Sequence, residues 1–178
     1  MMGLNISDLI MKRIIGLLCS LSILVPVTAS AQNAPKLEGT YKDWTTYSRT
    51  ASGDKSCYAI TPAQTKSPST VNHGDVYFMV SNWKSGAATE QPSFLVSYPL
   101  NPNIPPEAKA GSTKVKFYVA GNEAFIEDAS NEKRLVKAIR AKSTMTVSAQ
   151  SNRGTRVNYS FSLSGSTAAL QKAKDACR

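Results

Sequence analysis

The sequence predicts a mainly β, single-domain, β-sandwich-like fold with two short helices and one disulfide. Three observations predict it. About seven or eight short segments alternate apolar and polar residues at period two, with Gly, Asn or Pro turn signals between them. Only two stretches, residues 131–141 and the run after Gly165, shift to helical spacing. Two cysteines, Cys57 and Cys177, remain once an N-terminal export segment is set aside.

That export segment comes first. Lys12 and Arg13 form a basic start, residues 14–27 are an apolar run, and Ala29-Ser30-Ala31 is a small-x-small cleavage site. The reading is a signal peptide over residues 1–31, cleaved after Ala31. A mobile polar lead-in over residues 32–39 and a β domain over residues 40–178 follow. The apolar run is shorter than the ~20 residues that span a bilayer, and the mature chain has no transmembrane segment. An exported chain of this kind belongs first in the periplasm, with the outer-membrane surface or the medium as the other destinations.

Cys19 leaves with the signal. An even pair of cysteines in an exported chain is most simply one disulfide, Cys57–Cys177; two free thiols or a redox pair are the alternatives, though no C-x-x-C is present. Closing so long a loop stabilises by at most about 4–5 kcal/mol in the chain-entropy model. The chain has 21 Lys/Arg and 12 Asp/Glu; Lys12, Arg13 and Asp8 lie in the export segment, so 19 and 11 remain. A positive balance favours anionic surfaces such as phospholipid, lipopolysaccharide or glycans, and it also serves solubility.

The elements follow in order. Residues 41–47 form a strand around Trp44, and residues 56–60 a second one carrying Cys57. Residues 61–74 are a Pro/Ser/Thr-rich loop that holds His73, the only histidine. Residues 76–83 read as a central strand covered on both faces, with Val76, Phe78 and Val80 on one and Tyr77, Met79 and Trp83 on the other. Phe94, Val96 and Tyr98 mark the next strand. Pro99, Pro102, Pro105 and Pro106 exclude helix or central strand over residues 99–111. Residues 114–119 form a strand with Val115, Phe117 and Val119 inward, and Gly121-Asn122 turns into a partner over residues 123–127.

Residues 131–141 read as an amphipathic helix, with Leu135, Val136 and Ile139 on one side. A hairpin follows: Met145, Val147 and Ala149 alternate inward, then Val157, Tyr159, Phe161 and Leu163, around an Asn152-Arg153-Gly154 turn. Gly165 ends it. Ser166 or Thr167 is positioned to cap a second helix whose small-residue stripe, Ala169, Leu170, Ala173 and Cys177, suits a sheet.

No catalytic constellation emerges. His73, the one imidazole available to a nucleophilic device, reads as a surface-turn residue. Glu127-Asp128 reads as a solvated turn. The chain offers no usual structural zinc set and no phosphate-binding glycine loop. No catalytic residue, cofactor site or metal site is therefore assigned. The aromatics Trp44, Tyr77, Tyr98 and Tyr118 read as packing residues. The binding feature is basic: Lys133, Lys137 and Arg140 on one helix face, with Arg153 and Arg156 on the hairpin, make a patch for anionic groups if the two elements are neighbours.

The chain from Leu135 through Val147, the run Tyr159-Ser-Phe-Ser-Leu-Ser-Gly-Ser-Thr-Ala-Ala-Leu170 and the final Cys177 resemble the invasion-associated locus B family of exported bacterial proteins. Ser166 stands where that family often carries an aromatic. The resemblance implies a small β-rich envelope protein with the Cys57/Cys177 pair as its structural feature and no agreed active site. The expected function is accordingly non-enzymatic binding of an unknown protein or an anionic envelope or host-surface component, contributing to host-cell invasion or adhesion. The other reading is a periplasmic stability or stress factor. No nucleic-acid partner is expected.

Overall fold

Period-two alternation builds two antiparallel sheets, and the residues that alternate inward meet between them. The computed structural model describes residues 34–178. The expected export segment, with its cleavage point after Ala31, lies outside these residues. The strands are β1 (Lys36–Tyr41), β2 (Trp44–Ala51), β3 (Asp54–Pro62), β4 (Thr65–Ser67), β5 (Val76–Trp83), β6 (Gln91–Val96), β7 (Glu107–Ala110), β8 (Thr113–Lys116), β9 (Tyr118–Ala120), β10 (Glu123–Phe125), β11 (Thr144–Gln150) and β12 (Arg156–Ser162). Helix α1 (Ala129–Ala141) precedes β11, and α2 (Ser166–Ala176) follows β12. One sheet has the order β1-β2-β3-β5-β6-β10-β9, the other β4-β12-β11-β7-β8.

The register explains the core. Val147 pairs with Tyr159 and Met145 with Phe161 across the β11–β12 hairpin, so the alternating set lands on one face. Phe78 on β5 and Phe94 on β6 face them from the other sheet. Phe78 lies 5.9 Å from Phe161 and 6.3 Å from Phe117, and Phe94 lies 5.7 Å from Tyr159, ring centre to ring centre. Pairs of this kind add roughly 0.5–1.5 kcal/mol each beyond the area they bury. β5 is central, between β3 and β6, as its sequence predicts. Its second face is less covered than expected, since Tyr77, Met79 and Trp83 stay partly exposed.

The helices close the remaining inner surface. α1 buries Leu135, Val136, Ala138 and Ile139 and is capped by Asp128, whose carboxylate accepts from the Ser130 and Asn131 N–H groups. Asp128 is thus a helix cap, where the sequence reads as a solvated turn. α2 buries Ala169, Leu170 and Ala173 and packs along β1, β2 and β3. Thr46 donates its hydroxyl to the Ala169 carbonyl at 3.1 Å, and Trp44 Nε1 donates to the Ser162 carbonyl at 3.0 Å. Cys57 and Cys177 are bridged, with Cα atoms 5.7 Å apart, and pin the end of α2 to β3.

Several expectations are corrected. The described residues hold 12 strands, more than the alternation suggested. Lys36 to Gly39, expected in the lead-in, belong to β1, which bulges between Leu37 and Gly39 and so breaks the alternation that would have marked it. β4 lies within the Pro/Ser/Thr-rich loop as a three-residue edge strand, where unpaired backbone groups tolerate flanking prolines. β7 starts directly after Pro106, so the prolines precede the strand and do not interrupt it. The strand expected over residues 114–119 is two strands in different sheets. The chain crosses between them at Phe117, which is buried against Phe78.

The cap of α2 is also corrected. Neither Ser166 nor Thr167 caps it: Gly165 occupies that position at φ 90°, without a side-chain bond. Ser166 is buried and donates its hydroxyl to the Ile139 carbonyl at 2.9 Å, which ties α2 to α1. Only glycine fits at position 165, because a Cβ there would sit 1.9 Å from the Tyr41 carbonyl oxygen.

Candidate anion-binding site

The face of α1 opposite its buried stripe carries lysines at i and i+4, so Lys133 and Lys137 stand one turn apart, with Arg140 in the next turn. These three side chains line a hollow of about 630 Å³ together with the loop of residues 86–91, Glu132 and Lys174 of α2. Four cations therefore face two carboxylates, Glu90 and Glu132, across one concave surface.

The charges are not equivalent. Arg140 is bound to Glu90, and Lys174 Nζ lies 3.7 Å from the other Glu90 oxygen. Glu90 is itself held in place: its N–H donates to Asn82 Oδ1 at 3.0 Å, and its backbone sits at φ 52°. Arg140 and Lys174 are thereby fixed as a wall of the hollow. Lys133 and Lys137 are exposed and have no ion-pair partner among the described residues. Burial raises the Glu132 carboxyl above its ordinary value, offset in part by hydrogen bonding from Gln91, and the nearby Asp128 charge adds to the rise. The site is a positive concavity with two unpaired ammonium groups, the chemistry that holds phosphate, sulfate or carboxylate groups.

The five basic residues expected as one patch are not together. Lys133, Lys137 and Arg140 share the hollow. Arg153 lies in the tip of the β11–β12 hairpin and lines a different cavity, and Arg156 is an exposed residue at the base of that tip, opposite Gln150. β11 starts just beyond α1 and carries the chain away over seven residues, which is about 20 Å. The hairpin turns where the sequence says, but its strands are long enough to move the tip to the far end of the sheet.

His73 is corrected more sharply. It is buried, not a surface-turn residue. Its Nε2 lies 2.8 Å from the Pro68 carbonyl and its Nδ1 2.8 Å from the Tyr159 hydroxyl. A carbonyl oxygen only accepts, so Nε2 carries the proton; in the neutral ring Nδ1 accepts from Tyr159. Tyr159 in turn lies 2.6 Å from the Tyr98 hydroxyl. Burial pushes the Tyr159 hydroxyl well above the ordinary phenol value, so it stays a protonated donor. The available signal was Tyr159 itself: a phenol on the inward face of a strand needs a partner for its hydroxyl. Glu90 and Lys174, which complete the hollow together with Glu132 of α1 itself, carry no comparable signal, because only the fold brings them to α1.

Among the described residues no group of three His, Cys, Asp or Glu is placed to hold a metal ion, and no helix is long and apolar enough to cross a membrane. Nothing matches this chain among the curated proteins or among the solved structures. The family model of the invasion associated locus B (IalB) protein matches residues 44–174, from the start of β2 to the last turn of α2, and so covers every strand but β1, all of α1, most of α2 and every residue that lines the hollow. The chain belongs to the invasion associated locus B family.

Proposed function

We propose that this chain is an exported, non-enzymatic protein of the bacterial envelope that holds an anionic surface or partner in the hollow beside α1. In this reading the contact contributes to adhesion to, or invasion of, a host cell, in keeping with the name of its family. The observation that carries it is the pair Lys133 and Lys137, exposed, one turn apart and without an ion-pair partner among the described residues. A non-enzymatic role is supported by His73, whose two ring nitrogens are both engaged by Tyr159 and Pro68 and are not free to act as a base. Export is supported by the basic and apolar start of the sequence and by the Cys57–Cys177 bridge, since disulfides persist in oxidising compartments.

The test is sedimentation of the protein with vesicles of phosphatidylcholine, with and without phosphatidylglycerol. Wild type is expected to bind the anionic vesicles only. Replacing both lysines, Lys133→Ala with Lys137→Ala, is expected to weaken binding on the order of 30-fold, from about 1 kcal/mol per basic residue near an anionic surface. Equal binding by the double variant contradicts the proposal. A second reading, a periplasmic envelope-stability factor with no part in invasion, is favoured by the commitment of Arg140 and Lys174 to Glu90. It predicts an envelope defect on deletion with host-cell attachment unchanged.

A further inference from the structure

A second cavity lies at the tip of the β11–β12 hairpin, and its polar groups are arranged for a ligand of a different kind. It measures about 510 Å³, within the range of small-molecule sites, and shares no lining residue with the hollow beside α1. Three segments converge on it: residues 71–73 after β4, Tyr98 and Pro99 after β6, and residues 151–157 of the hairpin.

Each segment is fastened. His73 anchors the first through Pro68 and Tyr159, and the Gly74 N–H donates to Asn72 Oδ1 at 2.9 Å. The hairpin tip is joined to the second, the Asn152 N–H donating to the Pro99 carbonyl at 2.9 Å. Within the tip, the Gly154 N–H donates to the Ser151 carbonyl at 2.9 Å, and the Thr155 N–H donates to Ser151 Oγ at 3.2 Å. Gly154 takes φ 87°, which sets the turn that presents Arg153. The site is therefore formed before any ligand arrives.

Its hydrogen-bonding capacity can be read from the relay. With the His73 ring neutral, Pro68 accepts from Nε2, Nδ1 accepts from Tyr159, and Tyr159 in turn accepts from Tyr98. The Tyr98 proton is thus committed inward. Tyr98 lines the cavity with only an accepting position left to offer. Arg153 lines the cavity, has no ion-pair partner among the described residues and offers a guanidinium. Val71, Pro99 and Val157 supply an apolar wall. The matching ligand carries a carboxylate for Arg153, a hydroxyl that donates to Tyr98, and ring carbons for the apolar wall.

The geometry points to a site for a sugar acid, either a free uronic acid or the acidic residue of a glycan. Arg153 holds the carboxylate as a charged pair. Tyr98, oriented by Tyr159 and His73, accepts from a sugar hydroxyl.

Calorimetric titration tests this with glucuronate and with a hyaluronan tetrasaccharide, against glucose and acetate as half-ligands. Glucuronate or the tetrasaccharide is expected to bind at least 10-fold more tightly than either half-ligand. Tighter binding of the tetrasaccharide identifies a glycan as the ligand, and equal affinity a free acid. Arg153→Ala, at an exposed turn position, is expected to keep the wild-type melting temperature and lose on the order of 10- to 100-fold in affinity. Tyr98→Phe is expected to lose about 5-fold for the sugar acid and nothing for acetate. Failure of both sugar acids to bind, or equal affinity in Arg153→Ala, overturns the assignment. The lysines of the α1 hollow are intact in both variants, so vesicle binding is expected to persist and separates this result from the fate of that proposal.

Discussion

Glu90 decides how the cationic hollow behaves. It binds Arg140 and Lys174 at once, in a left-handed backbone position, with its N–H on Asn82. Its charge both holds the wall together and lowers the attraction of the hollow for an anion. Glu90→Gln is therefore expected to move two properties in opposite directions. Stability falls by about 1 kcal/mol in urea unfolding, the scale of a partly exposed ion-pair network. Affinity for phosphatidylglycerol vesicles rises, since Arg140 and Lys174 lose their counter-charge. A fall in both measurements would mean that Glu90 shapes the binding surface and does not merely neutralise it. None of this was legible in the sequence, where Glu90 is one acidic residue in a loop. The lysine spacing on α1 was legible, because a helix repeats every 3.6 residues and places i and i+4 together. His73 was misread for the converse reason: its neighbours Asn72 and Gly74 signal a turn, and the Tyr159 hydroxyl that buries it lies 86 residues away.

At the scale of elements, α2 shows how one glycine places a helix. Gly165 at φ 90° lets the chain turn from β12 into α2 while passing the Tyr41 carbonyl. Gly165→Ala is expected to cost more than about 3 kcal/mol, because left-handed strain adds to a backbone clash that side-chain movement cannot relieve. Gly154→Ala provides the comparison: φ is 87°, but nothing lies within 4 Å of the added Cβ. It is expected to cost about 1–2 kcal/mol, the left-handed strain alone. Equal losses in thermal unfolding would show that the Tyr41 contact does not matter. The small-residue stripe of α2 correctly announced that it lies on a sheet. The cap did not, since Ser166 is a good cap by type and is used instead to reach Ile139. The same limit appears at Phe117, where continuous alternation reads as one strand although the chain changes sheets there. Periodicity reports which side a residue faces, not which partner strand it has.

For the whole molecule, the bridge Cys57–Cys177 spans a sequence separation of 120 and joins the second inner strand of the larger sheet to the end of the chain. It closes α2 over β1, β2 and β3, and α2 in turn carries Lys174 to Glu90 and Ser166 to α1. The hollow is thus assembled from parts far apart in the sequence, the loop of residues 86–91, α1 and α2. The disulfide, the β class, the two helices and the hairpin were all readable from residue type and spacing. The sheet order and the separation of Arg153 from Arg140 were not, because they depend on how far the strands carry the chain. Two of the molecule's polar concavities lie in different places, one rich in lysine and one built around Arg153 and Tyr98.

The lysine hollow is the proposed binding place of an anionic surface. Backbone-amide NMR of the domain titrated with short-chain phosphatidylglycerol micelles tests it residue by residue. The largest shifts are expected at Lys133, Lys137 and the facing loop around Thr89, with the Arg153 tip and the outer face of β5 unchanged. Shifts centred on the hairpin tip, or spread evenly over the surface, would contradict it.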